Sequence, residues 1–121
     1  MIADKEGTME LEVVPRTDGI SHVSLRGSLD AAGLREVDVQ FRAATAGREQ
    51  PAIVDVSGLE YINSLGIGML FGCATSLVRK GHRMVVLNAT GLVADVMRTV
   101  GVPKVVPFAT SLEEAERLAK G

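Results

Sequence analysis

Two short runs, "AIVDV" at 52–56 and "RMVVLN" at 83–88, constrain the fold more than any other part of the chain. Both are apolar almost throughout and lack the polar alternate positions of a strand with one face in water. Runs of this length are too short for buried helices, so they read as strands covered on both faces. The cover must come from helices, and the intervening sequence supplies one. Residues 65–80 follow a helical pattern, with Arg79 and Lys80 offsetting the dipole at its carboxyl end and Gly81 as the stop. Strand, helix and strand in this order close as a parallel pair.

The rest of the chain extends the same layout. "MELEVV" at 9–14 and "ISHVSLR" at 20–26 carry apolar residues at partial period two on either side of the turn-like "PRTDG", as in an antiparallel hairpin. Leu34, Val37, Phe41 and Ala44 then recur at helical spacing over 31–46, with Asp30 as N-cap and Gly47 as the end. After the second apolar run, Thr90 caps a helix whose stripe is Leu92, Val93, Val96, Met97 and Val100, ending at Gly101. "KVVPF" at 104–108 reads as a last short strand, held to an edge or a strand end by Pro107. Ser111 and Glu114 form a capping box before a short amphipathic helix. The order β-β-α-β-α-β-α-β-α predicts an α/β fold: one domain over 9–121, a mixed and mostly parallel sheet, and helices mainly on one side. Residues 1–8 are expected to be a flexible lead-in.

Composition narrows the function. A net charge of −2 with scattered Lys and Arg gives no basis for holding nucleic acid, and an aromatic content of 3% leaves few platforms for stacking bases. Cys73 is the only cysteine and falls within an apolar helical pattern, so it is expected in the core, with no disulfide or thiolate metal site. No stretch reaches the 18 or so apolar residues that span a bilayer, and no signal sequence opens the chain; a cytoplasmic protein without membrane insertion is expected.

The residues between 58 and 72 carry the functional signal. Serine hydrolysis needs a base beside the nucleophile, and His22 and His82, expected at surface or edge positions, have no acidic partner at a telling spacing. No G-x-S-x-G surrounds Ser64, so catalysis is not indicated and no cofactor is called for. Gly66, Gly68 and Gly72 resemble a dinucleotide loop only loosely, because Phe71 stands where its last glycine is required. Glycines in the first helical turns instead allow another group to approach closely, at about 1 kcal/mol each in helix stability. Ser64 or Asn63 can cap this helix. A hydroxyl at a helix amino end is also a position where an added phosphate is tolerated by the dipole, while a partner resting beside it would have to desolvate the charge. The expected contact surface is the loop at 58–64 with the helix start: Gly58, Tyr61, Asn63, Ser64, Leu65, Gly66, Ile67 and Met69, joined by Asp30 from the neighbouring strand end.

The segments "LRGSLD", "AIVDVSGLEYINSLGIGML" and "GHRMVVLNATGLVADVMRTVGVPKVVPF" resemble the STAS family of bacterial anti-sigma factor antagonists, over about residues 9–118. The resemblance implies a STAS-like sheet and a partner-switching function. Unphosphorylated, such a protein binds an anti-sigma factor that is also a serine kinase with a histidine-kinase-like ATPase fold; phosphorylation releases it, and a serine phosphatase resets it. The family's D-S-[ST]-G pattern places the phosphorylated serine at Ser64. Asn63 stands where that pattern has aspartate, and Leu65 where it has a second hydroxyl residue. Asp30 and Asp55 also match family positions, with Asp55 expected to serve structure. Two alternatives stand beside this reading: a non-phosphorylated STAS scaffold or transport-associated subunit, and a small nucleotide- or lipid-binding module.

Overall fold

A computed structural model describes residues 9–121; the lead-in expected over 1–8 lies outside the described residues. The two apolar runs form neighbouring parallel strands, Ala52 facing Met84 and Asp55 facing Leu87. They belong to a five-stranded sheet that follows chain order: β1 (Met9–Val13), β2 (Ser21–Leu29), β3 (Ala52–Ile62), β4 (Met84–Leu87) and β5 (Phe108–Ala109). β1 pairs antiparallel with β2, from Met9↔Gly27 to Val13↔Val23, and the other three pairs are parallel. The fold is thus the α/β mixed sheet expected from the element order.

Helices α1 (Ala31–Ala44), α2 (Ser64–Arg79) and α3 (Gly91–Thr99) cover one face. Val23, Leu25, Val54 and Val86 of the sheet meet Phe41, Leu70, Leu77 and Met97 of these helices in one buried cluster, which also encloses Cys73. Burial raises the Cys73 thiol above its ordinary pKa, so it behaves as a small apolar side chain. On the other face α4 (Leu112–Lys120) lays Ala115 and Ala119 on Ile53, Val85 and Ala109. Arg16, in the turn after β1, ties that turn to α4 through Glu116 at 2.6 Å and also pairs with Asp18, whose carboxyl it holds down to about 2.

Several boundaries depart from the sequence reading, each for a local reason. α1 stops at Ala44, because the buried Thr45 hydroxyl donates to the Phe41 carbonyl that the Thr45 N–H already uses, and a short 3₁₀ turn over Ala46–Arg48 follows. The strand expected at 104–108 is mostly a 3₁₀ turn (Val102–Lys104). There the Val105 and Val106 N–H groups donate back to Val102 at 3.0 and 2.8 Å, leaving only Phe108 and Ala109 to pair as edge strand β5. Ser111 accepts from the Glu114 N–H at 3.1 Å, but the return bond of the expected capping box goes to the Thr110 N–H. His22, expected at a surface or edge, is 7% exposed on β2. Burial, followed by the Arg16 charge 3.4 Å away, pushes its pKa below the usual range.

Candidate functional site

Parallel strands joined by crossover helices bring all their carboxyl ends, and the amino ends of the helices that follow, to one edge of the sheet. Asp30 after β2, Asn63 and Ser64 after β3, and Thr90 after β4 meet this edge. Asp30 and Asn63 cap their helices with side-chain oxygens, whereas Thr90, at the N-cap position of α3 as expected, makes no side-chain cap bond. Asp30 is the N-cap of α1 and accepts from the Gly33 N–H at 2.8 Å. A side chain at Gly33 would strike the Ser28 carbonyl oxygen, so the start of α1 is pressed against the end of β2.

At α2 the two capping candidates have separate tasks. Asn63 is the cap: its Oδ1 accepts from the N–H groups of Leu65 and Gly66 at 3.1 and 3.2 Å, and its own N–H donates to the Leu29 carbonyl at 3.2 Å. Ser64 is the first residue of the helix, and it is exposed. Its hydroxyl makes no hydrogen bond among the described residues. The capping amides are already occupied by Asn63, so a charge added at Ser64 would be favoured by the helix dipole and not by an open set of donors. For the same reason the helix start is no ready cradle for a nucleotide phosphate.

The stretch expected as a loop at 58–64 is strand as far as Ile62. β3 pairs with β2 through Leu59 and Ile62, and two register shifts, at Asp55–Gly58 and at Leu59–Tyr61, insert extra residues on β3. The second bulge leaves Leu59 and Ile62 inward and turns Tyr61 outward, 44% exposed. Leu65, 51% exposed, stands beside Ser64 on the helix. Gly58 sits four residues before Ile62, roughly 13 Å along the strand, where the Arg26 side chain lies over it; an added Cβ would meet Arg26 Cγ at 2.5 Å. Gly58 is therefore remote from Ser64.

Three residues expected on the contact surface face inward. Ile67 and Met69 are 6% and 2% exposed and belong to the helix-side core. Gly66 is buried, and the group that needs its missing side chain is the protein's own Leu29, whose Cγ would lie 2.7 Å from an added Cβ. The outward residues of this end are Ser64, Leu65, Gly68 and Tyr61, with half-buried Asp30 and Asn63 nearby in the fold. Leu92, expected in the core stripe of α3, is 64% exposed at the same edge, since the buried stripe is Val93, Ala94 and Met97. A helix turns about 100° per residue, and that offset from Val93 was the signal available in the sequence.

Neither histidine can serve Ser64 as a base. His22 pairs with Ile53, nine residues before Ile62, and His82 precedes β4, so both lie toward the opposite end of the strands. Asp55 accepts from the Ser57 N–H at 2.9 Å within β3, shaping the first bulge. Among the described residues no group of His, Cys, Asp and Glu could hold a metal ion, and no helix is long and apolar enough to cross a membrane.

A protein-family model and several solved structures match the chain. The model described as "Mlab, STAS domain" matches residues 13–107. Among solved structures, an anti-sigma factor antagonist from Mycobacterium paratuberculosis superposes with a TM-score of 0.82 at 21% identity, covering 95% of this chain and 97% of that one. The Bacillus cell fate determinant SpoIIAA in its phosphorylated form gives 0.64 at 20% identity, covering 90% and 99%. Part of the murine Slc26a9 anion transporter gives 0.71 at 18% identity, covering 88% of this chain and 18% of that one. At these identities the structures share the fold. No curated protein sequence matches the chain.

Proposed function

The chain belongs to the STAS domain family, and on that premise we propose that it is an anti-sigma factor antagonist, a non-enzymatic protein that works by partner switching. Unphosphorylated, it binds an anti-sigma factor serine kinase of histidine-kinase-like ATPase fold through Tyr61, Ser64, Leu65 and the neighbouring Asp30 and Asn63. Phosphorylation of Ser64 releases the kinase, and a serine phosphatase restores the binding form. The observation that carries the reading is the division of labour at the start of α2: Asn63 caps the helix, and Ser64 keeps an exposed hydroxyl that has no hydrogen-bond partner among the described residues.

A phosphate there adds about −1.5 to −2 charges. It leaves the cap bonds in place and falls beside Tyr61 and Leu65, the apolar groups a partner would cover. Desolvating that charge costs several kcal/mol unless the partner pairs it, which is enough to convert binding into release. A related fold, SpoIIAA, has been solved in both unphosphorylated and phosphorylated forms, which supports the same chemistry here. Asn63 in place of aspartate removes one negative charge next to the serine, so the kinase and phosphatase must recognise an uncharged neighbour.

Incubation with the kinase and ATP followed by mass spectrometry tests the assignment. Phosphate on Ser64, absent from Ser64→Ala, is the expected result; no phosphate, or phosphate elsewhere that Ser64→Ala leaves intact, rejects it. A transport-associated role is the second reading, favoured by Leu65 at the position of a second hydroxyl and by the likeness to a domain of an anion transporter. Affinity capture of a transporter ATPase as the sole partner would establish it over the first.

A further inference from the structure

At the end of the sheet opposite Ser64, where β4 begins and α2 and α4 finish, lies a cavity of about 560 Å³. Arg83, Lys104 and Lys120 bound it together with His82, and among the described residues no aspartate or glutamate side chain does. Among the described residues Arg16, Arg26, Arg42 and Lys80 each meet a carboxylate within 3.3 Å, while Arg35, Arg48, Arg79, Arg98 and Arg117 stand singly outside any ion pair; the cavity differs in gathering three such cations on one wall. Among the described residues none of the three cavity cations is in an ion pair, in a chain whose net charge is −2. Gathering like charges without a counter-charge costs free energy, which an anion would offset.

Helix carboxyl ends favour cations and account for part of this. The two that reach the cavity supply about half a negative charge each, and even a free carboxylate on Gly121 leaves the three side chains in excess. Arg83 precedes β4 in the chain but lies in space at the end of α4, its Nη1 3.9 Å from where a Cβ on Gly121 would sit, so that helix end favours it as well as Lys120.

The walls suit a small organic anion. Pro51, Pro103 and Pro107, three of the chain's four prolines, line the cavity. Their fixed φ keeps the rim rigid and lowers the entropy lost on binding. Val78 and Val105, both about half exposed, place apolar surface beside the charges. The volume falls in the range of small-molecule sites, about 300–1,000 Å³, and is far larger than a phosphate ion. We propose that this cavity binds a small phosphate monoester, its phosphate held by Arg83, Lys104 and Lys120 and its organic part resting on Val78 and Val105. Guanidinium and ammonium groups together are the usual phosphate holders.

Amide NMR titration of the full chain with phenyl phosphate, and separately with inorganic phosphate, at constant ionic strength tests the proposal. Phenyl phosphate should give saturable shifts at residues 81–83, 103–107 and 119–121, with the Ser64 end unmoved, and should bind at least threefold more tightly than inorganic phosphate. The exposed double substitution Lys104→Gln/Lys120→Gln should weaken it at least tenfold while the amide spectrum stays folded. Absence of saturation, shifts centred on Ser64, equal affinity for the two probes, or undiminished affinity in the double variant would overturn it.

Discussion

Replacing Asn63 and Ser64 one at a time should separate the cap of α2 from the proposed switch. Alanine at 63 removes the acceptor of two N–H groups, those of Leu65 and Gly66. Substituting an N-cap asparagine by alanine costs about 0.5–2 kcal/mol, and the upper half of that range applies because Gly66 is buried and its amide has little access to replacement water. Alanine at 64 removes an exposed hydroxyl with no partner among the described residues, so its effect should stay within about 0.5 kcal/mol. In urea, a small protein with a slope of about 2 kcal/mol per molar would show its midpoint fall by about 0.6–1 M for Asn63→Ala and by less than about 0.25 M for Ser64→Ala. Asn63→Asp keeps the acceptor and adds a charge at the positive end of the helix, worth about 0.3–1 kcal/mol, so its midpoint should rise. Unfolding followed by far-ultraviolet circular dichroism measures all three. A loss for Ser64→Ala equal to that for Asn63→Ala would refute the reasoning, since the serine would then be part of the cap that phosphorylation is proposed to spare.

Gly66 and Gly68 share a helix but should respond oppositely to alanine. Both gain about 1 kcal/mol of helix propensity. At Gly66 the new Cβ would sit 2.7 Å from Leu29 Cγ in the core, an overpacking of about 1–3 kcal/mol, whereas Gly68 has nothing within 4 Å. At about 4 °C per kcal/mol for a domain of this size, Gly68→Ala should raise Tm by about 4 °C and Gly66→Ala should leave it unchanged or lower it by up to about 8 °C; equal shifts would contradict the packing. The depressed pKa of buried His22, faced by Arg16, Asp55, Glu116 and Asp18, makes stability depend on pH. The unfolded chain takes up a proton near pH 6.5 and the folded one resists it, so stability is full above 6.5 and falls below it. His22→Gln should flatten the urea midpoints between pH 7 and 5 relative to wild type, and parallel curves would place the dependence elsewhere.

The central strands were legible because 52–56, Asp55 apart, and 84–87 are apolar on both faces, a pattern few other elements produce. The extension of β3 to Ile62 was not, since Ser57, Gly58 and Glu60 break any period and the pairing comes from β2 across two bulges. Ser64 was legible as an exposed helix start; which of Asn63 and Ser64 caps was not, because both residue types are good caps and only the backbone separates them. Ile67 and Met69 were grouped with Leu65 by nearness in sequence, yet the helix turns them into the core. Gly66 signalled close approach correctly, and only the fold identifies Leu29 as the group that approaches.

Isothermal titration of the anti-sigma factor kinase with unmodified and fully Ser64-phosphorylated protein tests the switch most directly, with Ser64→Ala as the unmodifiable control. The account expects tight binding by the unmodified and alanine forms and at least a tenfold weaker association, about 1.4 kcal/mol, once the phosphate is in place. Equal affinity for the phosphorylated and unmodified forms, with the fold of both intact, would contradict it.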